Sequence, residues 1–170
     1  MSAGRKGTGG DLWAPPGPRA EYEAALGRFT LAYNQMDHQL TEVIETILRR
    51  LGRQDLLTVA RGASIATCEF WFRLCMLNVL KSTAEGQGIA DVPVKDMRDL
   101  ASERAVLAHA HMDRNPFDDS YRLISKGAVK QPYTSNRIDQ LAAKAERCWE
   151  ALRHAEAFYD FSDVGDPSPS

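Results

Sequence analysis

The strongest constraint on the fold is a regular apolar spacing that runs from Tyr22 to Leu51. Within this stretch large apolar residues recur every three or four positions. Such a near-heptad seam is typical of a helix that packs along its whole length in a bundle. The sequence therefore predicts a first long helix from about Ala20 to Leu51, with Gly52 as its C-cap. The residues of the seam are Tyr22, Leu26, Phe29, Tyr33, Met36, Leu40, Val43, Ile47 and Leu51.

A second helix is predicted from an N-cap at Ser64 to about Lys81. It is apolar around most of its circumference, which indicates that it is covered on more than one side. Either it is the central helix of the bundle or one face contacts another subunit. Cys68 and Cys75 lie among its apolar residues, so they are predicted to be buried thiols in a reducing compartment, too far apart to form a disulfide.

Two further helices complete the pattern. Asp91 and Pro93 are start signals for a third helix that runs to about His111. Thr134 or Ser135 is predicted to cap a last helix. The apolar stripe of that helix consists of Ile138, Leu141, Ala145, Cys148, Leu152, Ala155 and Tyr159.

Together these signals predict an all-α fold, an up-and-down bundle of four long helices. A small β-hairpin, 121–125 with 129–133, is a further candidate before the last helix. The domain is expected to span residues 19–161. Residues 1–18, rich in Gly and Pro, and residues 162–170 are expected to be disordered tails because they cannot bury enough apolar surface to become ordered.

The overall charge limits the choice of partner. The formal net charge is −2 and the isoelectric point about 6.1, so no global positive field attracts nucleic acid, and any RNA contact needs a local patch. No apolar run approaches the ~20 residues that span a bilayer. The start of the chain lacks the apolar core of a signal peptide. The sequence thus predicts a cytoplasmic protein with no membrane partner.

The third helix carries the residues with chemical potential. On a helical projection, Arg104 falls near the middle of its apolar arc, which holds Val94, Met97, Leu100, Ala101, Leu107 and Ala108. His109 lies about 140° around the helix from Arg104, and His111 falls on the same side as Arg104. A guanidinium does not lose its proton, so at an apolar position it requires a carboxylate, carbonyls or a hydrated pocket. An inward arginine beside a histidine favours phosphate chemistry.

The run from Glu103 to His109 resembles the signature of HEPN-domain proteins, an arginine and a histidine with four to six residues between them. The surroundings are also similar over roughly residues 20–160: an early helix with Phe29, Tyr33-Asn34-Gln35-Met36 and Leu40, then an aromatic-rich second helix. The motif falls late in the third helix, and a hairpin and a closing helix follow.

The resemblance implies a helical bundle that forms a homodimer, in which the motifs of two subunits face each other and form one metal-independent endoribonuclease site without a cofactor. His109 would act as general acid–base for attack of a 2′-hydroxyl on the neighbouring phosphodiester, and Arg104 would stabilise the charge on the phosphoryl oxygens. The products would be a 2′,3′-cyclic phosphate and a 5′-hydroxyl. Similar proteins include toxins and defence proteins, so RNA and an antitoxin or other protein are the expected partners.

The alternative function is a catalytically inactive helical dimer that binds RNA, a nucleotide or a protein. Ala105 favours it, because the family usually has a polar residue directly after the arginine. Arg147 and His154 have a spacing similar to that of the motif, but their side of the last helix faces away from its apolar stripe.

Each site residue also has a purely structural interpretation. Arg104 could pair with a carboxylate inside the bundle or at a dimer seam, and His109 could be a half-exposed surface histidine. His111, the weaker catalytic candidate, is better explained as an interior histidine with its hydrogen bonds satisfied. Four basic residues near the hairpin are candidate substrate contacts, although solvated loop charges offset by Asp118 and Asp119 explain them better: Arg114, Arg122, Lys126 and Lys130.

Metal binding is the last alternative. His109 with Asp113, and His38 with Glu42, are spaced so that each pair lies on one helix face. Carboxylate-bridged metal sites in bundles need paired Glu-x-x-His elements, and the sequence has none. No metal site is predicted.

Overall fold

Four α-helices form the framework of the computed structural model. It describes residues 16–59, 63–109, 111–114, 121–125, 128–129 and 133–161. The helices are α1, Pro16–Arg50; α2, Phe70–Leu80; α3, Val94–His109; and α4, Ser135–Phe161. The predicted helical class and the number of helices are therefore confirmed. Most of the two predicted tails, 1–15 and 162–170, lies outside the described residues.

The core is centred on α1 and α4, which share the most extensive contact between any two elements. The predicted seam of α1 is buried from Phe29 to Ile47, and the stripe of α4 is buried from Ile138 to Tyr159 except for the half-buried Leu141. Small residues in the stripe, such as Ala145, allow the two helices to approach closely. The 3.6-residue periodicity thus identified both core faces correctly.

The cap signals at both ends of this pair also act as predicted. Gly52 has a φ of 67°, and the amide of Arg53 donates to the carbonyl of Leu48 over 2.8 Å, so α1 ends in a Schellman motif. The hydroxyl of Thr134 accepts a hydrogen bond from the amide of Arg137 at the start of α4.

The helix α2 begins five residues later than predicted. Ser64 does cap a helical turn, but this is a short 3-10 helix, Ile65–Thr67, whose first amides are held by local hydrogen bonds. The amide of Ala66 donates to the Ser64 hydroxyl, and the Thr67 hydroxyl donates to the Ser64 carbonyl. These local bonds compete with a continuous α-helix, and the chain is extended at Cys68 and Glu69 before α2 begins.

Within the part of the chain that the structure describes, α2 is covered on one side. Leu74, Leu77 and Leu80 pack into the core together with Arg73. On the opposite side Trp71, Phe72, Cys75 and Val79 are exposed. We call these four residues the α2 apolar face. The prediction that Cys75 is buried is therefore wrong, and the helix is not the central one of the bundle.

The first half of α3 is buried and the second half is not. Met97, Leu100 and Ala101 belong to the core, whereas every residue from Ser102 to His109 is exposed or half-buried. The helix ends at His109, two residues before the predicted end. His111 begins a strand instead, which removes the helical position on which its interpretation as an interior histidine was based.

Short strands occupy two connections. β1 (Thr58–Val59) pairs with β2 (Ala63–Ser64), and after α3 the strands β3 (His111–Arg114), β4 (Tyr121–Ser125) and β5 (Ala128–Val129) form an antiparallel sheet in the order β3-β4-β5. Ile124 in β4 pairs with Val129 in β5. The predicted hairpin turn at 126–127 and most of its second strand lie outside the described residues.

None of the helices in the part of the chain that the structure describes is long and apolar enough to cross a bilayer.

Candidate functional site

Arg104 lies on the exposed half of α3, above an aromatic ring from α1. Its guanidinium carbon is 5.1 Å from the centre of the Tyr33 ring. The side chain is exposed, so the expectation that it points into the bundle is wrong. The reason is that α3 leaves the core after Ala101, so that the same helix face meets solvent above Tyr33 instead of a core layer.

Among the described residues no carboxylate pairs with Arg104. The structural interpretation in which the charge is neutralised inside the bundle is therefore not met among the described residues. A guanidinium held over a ring keeps its planar set of N–H donors available, and such a set matches the oxygens of a phosphate.

Tyr33 is itself fixed by two neighbouring rings. It is 3% exposed, contacts Phe29 edge-on with ring centres 6.1 Å apart, and lies 5.5 Å from the ring of Phe70. Burial, followed by the nearby charge of Asp37, raises the pKa of the Tyr33 phenol to about 12. The charges of Arg104 and Arg73 act in the opposite direction. The ring is therefore a rigid, uncharged support at neutral pH.

Beside this support lies a buried ion pair between α1 and α2. A terminal nitrogen of Arg73 is 2.6 Å from Oδ1 of Asp37, and the Arg73 side chain is only 7% exposed. Arg73 also donates to the Thr41 hydroxyl over 2.6 Å and to the backbone carbonyl of Asp37 over 3.1 Å. Since Asp37 is bound to Arg73, its negative charge is largely balanced and does not neutralise Arg104.

The acidic neighbour of Arg104 in the chain is also engaged elsewhere. The Tyr133 hydroxyl donates to Oε2 of Glu103, and Arg137 of α4 donates to Oε1 over 3.2 Å. Arg137 in turn lies 4.4 Å from the centre of the Tyr133 ring. Burial and the hydrogen bond to Glu103 raise the pKa of Tyr133 to about 12. This cluster attaches the outer half of α3 to the start of α4 and leaves Arg104 without an ion pair among the described residues.

His109 is the last residue of α3 and is exposed. It makes no hydrogen bond or ion pair with another described residue. It lies five positions after Arg104, which corresponds to about 7.5 Å along the helix axis and about 140° around it. The two side chains therefore start from different sides of one helix end.

The remaining candidate residues are dispersed. His111 and Arg114 lie in β3, where His111 pairs with Ile124, and Arg122 lies in β4 opposite Asp113. Lys126 and Lys130 lie outside the described residues. Arg147 and His154 are both exposed on α4, as the helical projection indicated.

Sequence reasoning missed the residues beneath Arg104. Tyr33 was identified as a core position and as part of the family resemblance but not as a contact of Arg104, and Asp37, Arg73 and Glu103 were assigned no role. One signal was available. An arginine on the core-facing side of an apolar helix, as Arg73 is on α2, requires a buried carboxylate. Asp37 lies one turn after Tyr33 on the first helix, where it could have been considered as the partner.

A metal centre and a surface groove are the other kinds of site to consider in the part of the chain that the structure describes. The described residues contain no group of three or more His, Cys, Asp or Glu side chains placed to hold a metal ion. A shallow groove of about 480 Å³ on the outer side of α1 contains one carboxylate and neither Arg104 nor His109. It is lined by Glu23, Leu26, Gly27, Thr30, Leu31 and Asn34.

Comparisons of the chain with protein-family models, with curated proteins and with solved structures found no match.

Proposed function

We propose that this protein is a HEPN-like, metal-independent endoribonuclease of the toxin or defence type, in which Arg104 and His109 act on an RNA phosphodiester. One observation carries the proposal. Arg104 is an exposed guanidinium supported by Tyr33, and the carboxylates of Asp37 and Glu103 are bound to other cations. A cation without an acidic partner on a protein of net charge −2 is suited to binding an anion from solution.

The chemistry requires two groups. A base removes the proton from the 2′-hydroxyl, whose oxygen attacks the adjacent phosphorus and displaces the 5′-oxygen, which takes up a proton. An imidazole performs such transfers near neutral pH, and His109 is exposed for this role. Arg104 would stabilise the charge that develops on the non-bridging oxygens. The products are a 2′,3′-cyclic phosphate and a 5′-hydroxyl.

The angle between the two residues supports a dimer. Because Arg104 and His109 leave the helix about 140° apart, a second copy that brings its own pair to the same phosphate would complete the site. The same proposal includes an up-and-down arrangement of the four helices and the hairpin before α4. It also includes a cytoplasmic location, where the three free cysteines remain reduced. A cognate antitoxin is the proposed protein partner.

The test is cleavage of a mixed RNA substrate in the presence of EDTA. Wild type should leave cyclic phosphate ends. Arg104→Ala should lower the rate about 10²–10³-fold, the typical cost of removing one charge-stabilising donor. His109→Ala should lower it about 10²–10⁴-fold, the range for a general acid–base. Sedimentation at the assay concentration tests for the dimer.

The chain provides matched controls for both substitutions. Arg98 is an exposed arginine on α3, and Arg147 and His154 repeat the approximate motif spacing on α4. Alanine at any of these three positions should leave cleavage within about twofold of wild type. If a control variant loses as much cleavage activity as Arg104→Ala, the assignment of the active site to Arg104 is wrong.

The second candidate is a catalytically inactive module that binds RNA, a nucleotide or a protein. It is favoured by Ala105, an exposed residue without a polar side chain at the position that follows the motif arginine. Binding of RNA that depends on Arg104, without cleavage by wild type, would establish this function in place of the nuclease.

A further inference from the structure

We propose that Tyr33 is the positioning residue for Arg104, and that its ring holds the guanidinium where it meets an RNA phosphate. The inference rests on the proposed function and adds a residue to the site from another helix. Tyr33 lies 71 positions before Arg104 in the chain.

The first argument concerns order. An exposed arginine without a partner has many rotamers, and binding a phosphate then costs the entropy of selecting one. The ring centre lies 5.1 Å from the guanidinium carbon, within the range of a cation–π contact. Such a contact restricts the side chain and leaves its N–H donors available, whereas an ion pair would occupy them.

The second argument concerns rigidity. A support is useful only if it does not move, and Tyr33 is packed between Phe29 of the same helix and Phe70 at the start of α2. The pair formed by Asp37 and Arg73 ties α1 to α2 one turn further along. Tyr33 therefore has a fixed location where α1, α2 and α3 meet.

The third argument concerns the hydroxyl. No hydrogen bond links the Tyr33 hydroxyl to any described residue, so the ring accounts for the contact with Arg104. The inference consequently separates two substitutions. Tyr33→Phe keeps the ring and should keep function, whereas Tyr33→Leu keeps a buried apolar side chain but removes the ring.

The experiment has a kinetic arm. With the RNA substrate, Tyr33→Phe should remain within about twofold of wild type, and Tyr33→Leu should lower kcat about fivefold with a smaller change in KM, the upper end of the effect of an exposed cation–π contact. Tyr159→Leu removes a buried ring of α4 that contacts Phe158 and not Tyr33, so it should behave like wild type. Equal losses in Tyr159→Leu and Tyr33→Leu, or in Tyr33→Phe and Tyr33→Leu, would overturn the inference.

A second arm does not depend on cleavage. The probe is a 2′-deoxy oligonucleotide, which has phosphates but no attacking hydroxyl. The NMR signal of the Arg104 Nε–H, identified by its loss in Arg104→Ala, should be shifted by the ring in wild type and Tyr33→Phe, and should move when the probe is added. In Tyr33→Leu the ring shift should vanish and the Kd of the probe should rise several-fold. In an Arg104→Ala background, Tyr33→Leu should cause no further loss of affinity.

The two arms separate the possible failures. If wild type does not cleave but binds the probe through Arg104, the nuclease is wrong, and the affinity of Tyr33→Leu still decides the role of Tyr33. An Arg104 signal that is the same in wild type and Tyr33→Leu would overturn that role directly. If wild type neither cleaves nor binds, both proposals fail.

Discussion

At the scale of single residues, the buried pair of Arg73 and Asp37 is a position where substitution should destabilise the fold. Removal of Asp37 would leave a guanidinium that is 7% exposed without its counter-ion. Breaking a buried pair from one side costs about 3–5 kcal/mol. Since the Asp37 side chain is 31% exposed, we expect Asp37→Ala to lower the free energy of unfolding by about 3 kcal/mol.

The matched variant replaces both charges. Arg73→Met together with Asp37→Ala should recover much of this loss, because an apolar side chain of similar length needs no counter-ion. Urea unfolding of the two variants beside wild type measures the difference. If the double variant is as unstable as Asp37→Ala, the ion pair itself stabilises the folded state, and the loss in Asp37→Ala does not come only from leaving Arg73 unpaired.

The second prediction at this scale concerns how the stability of the protein depends on pH through the phenol of Tyr33. Its pKa is about 12 in the folded chain and 10.0 when unperturbed. A group that holds its proton more tightly when folded contributes stability that is complete below the lower pKa and is lost between the two. The free energy of unfolding should therefore fall between about pH 10 and pH 12. Tyr33→Phe should reduce this slope in alkaline unfolding curves, and an unchanged slope would contradict the burial of the phenol.

At the scale of elements, two glycines form a natural pair for comparison. A Cβ added at Gly88, in the 3-10 helix Ala84–Ile89, would lie 2.8 Å from Cζ of Tyr159. That ring is 4% exposed and cannot move aside easily. We expect Gly88→Ala to cost about 1–3 kcal/mol, as overpacking usually does.

Gly27 is the opposite case. It lies inside α1 on an exposed position, and an added Cβ would meet nothing within 4 Å. Gly27→Ala should stabilise the protein by about 0.5–1 kcal/mol, the difference in helix propensity. Thermal unfolding of the two variants should give shifts of opposite sign. Shifts of the same sign would show that the packing of the 3-10 helix against α4 differs from the one described.

The elements also show what the sequence could and could not predict. The apolar period located α1, α4 and their core faces because that signal is repeated over many turns. It failed at Ser64, where hydrogen bonds from Thr67 and Ala66 form a separate 3-10 turn. It failed again at Arg104, because a helical projection gives the direction of a side chain around its helix and not where that helix leaves the core.

The residues of the candidate site were likewise predictable only in part. The pair Arg104 and His109 was found from one local motif, whereas Tyr33 lies far away in sequence and is indistinguishable from any other core position on α1. Contacts between distant elements depend on tertiary packing, which periodicity does not encode. Glu103 illustrates the point, because its bond to Arg137 on α4 decides whether its neighbour Arg104 is neutralised.

At the scale of the whole molecule, the charge balance predicts how RNA binding depends on salt. The chain has 21 basic and 23 acidic residues, so binding should rely on few phosphate contacts. Each such contact contributes a slope of about −0.7 to log K against log salt for single strands. Arg104→Ala should make the slope shallower by about 0.7 for each Arg104 that contacts a phosphate, as measured by filter binding of the 2′-deoxy oligonucleotide. Arg98→Ala should leave it unchanged, and a change as large as that of Arg104→Ala would indicate diffuse attraction.

The three cysteines differ so much in environment that the molecule can be labelled at a chosen point without being redesigned. Burial raises the pKa of the Cys148 thiol to about 11, so at neutral pH almost none of the reactive thiolate is present there. Cys75 is exposed in the middle of the α2 apolar face, and Cys68 is only partly exposed. In a Cys68→Ser chain, a polarity-sensitive dye should therefore attach at Cys75 alone. Its emission would then report whether water or another molecule lies against that face, at any concentration and with any candidate partner.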